Sequence, residues 1–351
     1  MTSVTRAERP VPAARSRTAP ARRRRLVGLA VLLGALALAL AASLLLGSQP
    51  LTPGAVWHAL TAPTGTDDDI IVRSLRAPRT ALAALAGLAL GVAGAVVQGH
   101  TRNPLADPGL LGVTQGAALA VVLGVFILRL DSLYGYVWFA FAGALVASVV
   151  VFALGTLSQG GPTPLTLVLA GAAMSAFLGG LVSALVLLDQ QSLDVYRFWR
   201  VGSVAGRPAD IVWQVLPFIV VGVVLALVNA PGLNALALGD DLARALGIRV
   251  GLTRATGIAA ITVLTGAAVA ACGPIGFVGL IVPQFARFLT GPDHRWLLPY
   301  SGLLGALLLL VADVIGRVVA PPGELEVGIV IAVIGCPFFL YLIRRRKLAQ
   351  L

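Results

Sequence analysis

Histidine, cysteine and lysine supply many catalytic bases, nucleophiles and metal ligands, and this chain of 351 residues holds only three, two and one of them. His58, His100 and His294 lie far apart with no paired ligand spacing, so they read as polar loop residues and not as a metal site. Cys272 and Cys336 each sit inside a long apolar stretch, which leaves no CxxC site and no disulfide framework. Lys347 is the only lysine, and Leu348 follows it. A phosphate-cradling loop needs a lysine after its glycines and then Ser or Thr, so any ATP-driven work requires another subunit. The expectation is a chain with no catalytic residue, no metal and no cofactor of its own.

The remaining polar residues are placed for contact, not for bond chemistry. The segment from Asn234 to Gly247, which holds Leu238, Gly239, Asp240, Asp241, Ala243, Arg244 and Leu246, reads as a short helix. Asp240 and Asp241 suit the positive end of its dipole, Gly247 suits the position just past its end, and Leu242, Ala245 and Leu246 form an apolar stripe. Such a helix docks in a partner's groove or packs on its own bundle or the lipid surface. Asn103-Pro104 and Asp107-Pro108 interrupt an apolar pattern, because proline disfavours helix at the residue before it. A break that shapes the bundle is the first reading, ahead of direct substrate contact.

The elements that must hold these residues follow from composition. Hydrophobic residues make up 58% of the chain, charged residues 12%, and the mean hydropathy is +0.92. Soluble domains carry about 25% charged residues, so most of this surface faces something other than water. Apolar stretches lie near 26–46, 80–99, 109–128, 136–157, 165–188, 211–229, 254–272, 274–290, 296–319 and 326–343. Each is near the ~20 residues a bilayer requires, and they predict ten membrane helices. Ala39, Leu40 and Ala41 mimic a cleavage site, but the first stretch is longer than a signal-peptide core and reads as an uncleaved span. Gly273-Pro274 either separates two spans or kinks one. Gly87, Gly91 and Gly94 would let helix backbones approach closely.

The whole net charge of +11 resides in two tails, Arg6 to Arg25 and Arg344 to Lys347. Arginine at both ends of an even number of spans predicts cytoplasmic termini. No aromatic residues interleave these runs, which argues against a nucleic-acid partner. The expected organisation is a disordered basic tail at 1–25, a transmembrane domain at 26–343 with a cytoplasmic segment at 231–250, and a second basic tail at 344–351. The loops near 47–79, 129–135, 189–210 and 320–325 then face outward.

An ordered set of motifs carries a resemblance. Arg76-Ala-Pro-Arg79, Gln98, the run from Arg102 to Gly112, Leu169 to Gly171, Trp199 with Gly202 and Ser203, Trp213, and Asn234 to Gly247 come first. Gly276 to Pro283, Gly291 to Arg295, Ala312-Asp313, Arg317 and Gly328 follow. Together they resemble the FecCD-type permease family of iron-siderophore and cobalamin importers, the type II ABC importers, over about residues 70–343. The resemblance implies a permease in the bacterial plasma membrane that acts by alternating access on ferric siderophore, with cobalamin or haem as alternatives. It implies a second permease copy or a paralogue, two ATPase subunits that bind ATP and Mg, and an extracytoplasmic substrate-binding protein. It places Asn234 to Gly247 at the ATPase, and Arg76, Arg79 and Arg317 against acidic residues of the binding protein. Anchoring of helix ends at the headgroups is the alternative for these arginines, and a local pair with Arg317 is the alternative for Asp313.

Two positions depart from the pattern. Gln284 stands where the family usually has His after Pro283, which removes a titratable group, and Glu326 stands where Pro usually follows Leu325. A secondary transporter would need coupling-ion groups near mid-span, and no convincing acidic pair lies there.

Overall fold

The computed structural model describes residues 18–47, 49–130, 133–157, 164–320 and 323–344. The expected tails fall largely outside them, at 1–17 and 345–351. The described residues are helical throughout, with no strand among them. In chain order they form α1 (Thr18–Leu45), α2 (Pro53–Thr61), α3 (Asp67–Ile70), a π-helical stretch (Ile71–Arg76), α4 (Ala77–Thr101), a 3-10 turn (Pro108–Leu111) and α5 (Val113–Leu128). Then follow α6 (Leu133–Leu157), α7 (Pro164–Leu188), α8 (Gln190–Val201), α9 (Ala209–Leu236), α10 (Asp240–Ala245), α11 (Val250–Cys272), α12 (Val278–Thr290), α13 (His294–Val319) and α14 (Val327–Arg344).

Seven of these helical segments among the described residues are long and apolar enough to cross a membrane, and α5, α12 and α14 are shorter apolar helices. All ten apolar stretches therefore correspond to helices, but several boundaries move. Helix α1 begins at Thr18, so residues 18–25 are helical and not part of a disordered tail. Ala and Arg are strong helix formers, and the helix simply continues backward from its apolar part. The segment 47–79 is not a plain loop: it holds α2 and the helical lead-in that makes Asp67–Thr101 one rod. Thr66 starts that rod with a reciprocal cap, accepting from the Asp69 amide while Asp69 accepts back from Thr66. The segment 189–210 holds α8, whose first turn is closed by Asp189 accepting from the Ser192 amide at 2.8 Å.

Helices α4 and α11 form the centre. Their apolar windows are 78% buried, against 17% for α7 and 11% for α1. Helix α4 lies against α13 at a crossing where only glycine fits. A side-chain carbon on Gly87 would come within 2.3 Å of the Gly305 carbonyl oxygen, and one on Gly305 within 2.1 Å of that of Gly87. Close backbone approach of this kind is how helices associate where lipid offers no hydrophobic driving force. The outer helices α1 and α7 instead expose Val31, Leu38, Leu165, Leu169, Phe177, Leu187 and Leu188, as a lipid-facing surface requires.

Candidate functional site

The bundle has two ends. One carries α2, α3 and α8; the other carries α10. Arg76, Arg79 and Arg317 gather at the α8 end, and all three have partners inside the chain. Arg76 is buried, and its Nη1 donates to the Leu44 and Leu45 carbonyls at 2.7 and 2.9 Å while its Nη2 donates to the Gln49 carbonyl. Arg317, only 3% exposed, donates from Nη1 to the Ser43 and Leu46 carbonyls at 2.9 and 3.0 Å, and from Nη2 to the Ser43 hydroxyl. The last carbonyls of a helix have no partner within it and form its negative end. Two guanidiniums thus close the end of α1.

Asp313 lies beneath them. It pairs with Arg317 at 3.1 Å, the local i,i+4 pair that the sequence allows, and with Arg79 at 2.9 Å. Arg79 also bonds Glu324 at 2.5 Å. Glu326 stands apart from Arg317. Its backbone carbonyl accepts from the amides of Ile329 and Val330 at the start of α14, and the residue shares a cavity wall with Arg207. A second cavity of about 480 Å3 opens over the cluster, lined by Arg76, Arg79, Arg207 and Arg317 against Glu324 alone among the acids.

At the neighbouring junction of α7 and α8, Asp189 accepts from Arg129 at 2.7 Å and from the hydroxyl of Ser192. The Arg129 bond, with those from Ser192, holds this carboxyl down at about 2.

Midway along the bundle two breaks meet. Thirteen residues of α12 rise only about 20 Å, short of a bilayer's ~30 Å, and its first turn packs through Gly279 on Leu90 and Gly94, in the interior of α4, so α12 starts inside the bundle. Gly273 separates α11 from α12 with φ +73, which decides in favour of two helices. The other break runs from Arg102 to Gly112, where Asn103 accepts from the Leu105 amide and Asp107 from the Gly109 amide in side-chain-closed turns. Pro108 of this segment packs on Gly279 of α12. Between the breaks lies a cavity of about 150 Å3 whose walls include Asp107, Pro108, Thr114, Thr265, Pro274 and Gly276. Non-helical backbone at this depth is tolerated where it lines a cavity or is covered by protein.

Glutamines fasten the breaks. Gln98 donates to the Gly279 and Leu280 carbonyls at 3.3 and 3.1 Å. Gln284 donates to the Pro104 carbonyl at 2.8 Å and to Gln98 Oε1 at 3.1 Å, and Arg287 Nη1 donates to that same oxygen at 3.2 Å. Gln284 is thus a buried strut between α4, α12 and the broken segment.

At the α10 end, the helix predicted over Asn234 to Gly247 is divided. Asn234 belongs to α9, whose end runs on to Leu236, and Gly239, with φ +110, opens the turn to α10. Gly247, with φ +80, lies just past α10 as expected. Ala243 is fully buried, in a small cluster with Ala235, Leu236 and Val250. Leu238, Leu242 and Leu246 are 59%, 57% and 63% exposed, so the apolar stripe faces away from its own bundle. Arg244 pairs within the helix with Asp241 at 3.0 Å.

Asp240 reaches further. Its Oδ1 accepts from Arg102 Nη2 at 2.6 Å and its Oδ2 from Arg254 Nη2 at 2.7 Å. Asn234 donates to Asp293 at 2.7 Å and accepts from the backbone amide of His294 at 2.9 Å, tying α9 to the α12–α13 turn. His294 and His100 are buried helix residues, contrary to the polar-loop expectation; His100 places its ring nitrogens 3.0 and 3.1 Å from the Val96 and Thr253 carbonyls. Gln98, Arg102, Arg254 and Arg287 carry much of this geometry. Arg254 does not stand out in the sequence, because nothing local pairs it with Asp240, fourteen positions before it. No group of three or more His, Cys, Asp or Glu that could hold a metal ion occurs among the described residues.

Ten apolar helices, paired breaks at membrane depth and an exposed helix at one end define a multi-pass membrane protein of the transporter class. The chain belongs to the FecCD transport family, whose model matches residues 11–345. It is 47% identical over 311 residues to the ferric enterobactin transport system permease protein FepD of Escherichia coli, covering 89% of this chain and 93% of that one. It is 44% identical over 283 residues to the Fe(3+)-citrate import system permease protein YfmD of Bacillus subtilis, covering 81% and 84%. A solved inward-facing ABC transporter of the metal-chelate type superposes with a TM-score of 0.80 at 30% identity, covering 92% of this chain and 99% of that one.

Proposed function

We propose that this chain is the permease subunit of an ATP-binding-cassette importer that receives a ferric siderophore from a binding protein and passes it inward by alternating access. The observation that carries the reading is the likeness to the ferric enterobactin permease along nearly the whole of both chains. The chain itself performs no covalent chemistry, and ATP and Mg act in two separate ATPase subunits. It works as a homodimer or with a paralogue, in the bacterial plasma membrane, with both termini cytoplasmic.

That orientation puts α10 at the ATPases. Leu238, Leu242 and Leu246 present the apolar contact, Asp241 and Arg244 flank it, and Ala243 holds the helix to α9 and α11. The α8 end then faces the binding protein. Arg76, Arg79 and Arg317 surround a cavity with Arg207, and their positive charge exceeds what Glu324 and the buried Asp313 offset. A carboxylate from the binding protein finds register there without displacing the bonds to α1.

Uptake into proteoliposomes holding this chain, its ATPase and its binding protein tests the reading, with labelled ferric siderophore and labelled cobalamin side by side. ATP-dependent uptake of the siderophore alone is expected. Uptake of cobalamin alone would overturn the substrate, and ATP-independent transport would overturn the importer.

A further inference from the structure

We infer that Asp240 is a positioning residue that couples movement of α10 to the broken segment 102–112, and through it to the middle of the membrane. The inference rests on the importer reading for its direction but on the geometry for its parts. Asp240 and Asp241 are neighbours of like charge, yet their bonds differ in kind. Asp241 is fully exposed and pairs one turn along its own helix. Asp240 spans three elements, because its two oxygens hold Arg102 at the end of α4 and Arg254 in the first turns of α11.

Arg102 is a sensitive place to hold. Its φ of +48 puts a residue with a side chain in the left-handed region, at the point where α4 stops and the broken segment starts. Beyond it the links continue without a gap. Asn103 closes the turn on Leu105, the Pro104 carbonyl accepts from Gln284, and the Ala106 carbonyl lies 3.5 Å from the Gln98 amide. Gln98 in turn holds the first carbonyls of α12, and Pro108 packs on Gly279 beside the cavity between the breaks. A displacement of α10 therefore pulls directly on the residue from which the mid-membrane break hangs.

Stability is a poor explanation for this arrangement. The side chains of Arg102 and Asp240 are 37% and 26% exposed, and a pair so open to solvent adds little to folding, so the Arg254 bond, at 14% exposure, is the one that anchors Asp240 while the Arg102 bond adds linkage. What two charge-assisted bonds from one carboxylate supply is fixed geometry between the elements they join.

The test uses the permease assembled with its ATPase, comparing Asp240→Asn, Arg102→Gln and the double variant with the parent. Arg102→Gln, which lies outside α10, is expected to co-purify with the ATPase and to hydrolyse ATP as the parent does. Cargo moved per ATP should fall roughly tenfold in Asp240→Asn, within the span of ordinary coupling energies. The double variant should be no worse than either single one, and Asp240→Glu should recover part of the loss. A cargo-free readout stands beside it: nucleotide binding should alter hydrogen exchange over 102–112 in the parent and not in Asp240→Asn. Unchanged cargo per ATP in Asp240→Asn, or loss of ATPase association, would overturn the inference. Because the exchange readout needs no cargo, it decides the role of Asp240 even if the siderophore reading fails.

Discussion

The two ends of the bundle use arginine in opposite ways. At the α8 end, Arg76 and Arg317 are buried against the last carbonyls of α1, and their partners are mostly backbone atoms that cannot leave. At the α10 end, Arg102 and Arg254 meet one part-exposed carboxylate that stands on a six-residue helix. The first arrangement is a clamp and the second is a joint. Burial makes the difference at Arg102, whose side chain is 37% exposed where that of Arg254 is 14%: a desolvated guanidinium surrounded by acceptors has one good position, whereas a solvated ion pair re-forms readily after a small movement.

The largest effect should come from breaking the packing that both ends share. Gly305→Leu drives a side chain into the Gly87 carbonyl, so it should abolish the folded bundle, read as loss of monodisperse protein in detergent. Next is the clamp itself. Arg317→Met leaves Asp313 with one partner fewer in a buried site and frees the carbonyls of Ser43 and Leu46 at the end of α1, so it should cost about 3–5 kcal/mol in unfolding free energy measured by denaturant titration. The joint should tolerate an equivalent change, because Arg102→Gln removes a part-exposed pair worth about 1 kcal/mol or less in the same titration. Equal losses at the two positions would erase the contrast between clamp and joint.

On the outer surface of α10, Leu246→Glu should leave the fold intact and weaken co-purification with an ATPase, since that residue is 63% exposed. The smallest effect is a pH dependence at the α8 end. The Asp189 carboxyl sits at about 2 against an ordinary 3.8, so its contribution is complete above pH ~4 and is lost as pH falls toward 2. Hydrogen exchange at the Ser192 amide, corrected for intrinsic rate, should quicken over that window, and Asp189→Asn should remove the change.

Much of this was legible along the chain. Apolar runs placed all ten apolar helices, because a bilayer favours such runs, but only seven of them among the described residues are long enough to cross a membrane. Prolines 104 and 108 marked one break, and Gly247 marked the end of α10. Helix α8 was missed even though Asp189 is a helix-starting residue, because a long polar stretch between spans reads as a loop until its tertiary packing is seen. Residues 18–25 were missed for a different reason: a basic run has no apolar period, yet it extends a helix already begun.

What the sequence determined by itself is the class of environment and the order of the elements, since hydropathy and helix-breaking residues act over a few neighbouring positions. Pairings were left to the tertiary structure. Arg102 and Asp240 are separated by 138 positions, and Arg79 and Asp313 by 234. Nothing in a local pattern says which buried arginine will close a helix and which will find a carboxylate. That choice belongs to the packing of α4 against α11 and α13, because a charge at membrane depth settles on whichever partner the backbone brings within reach.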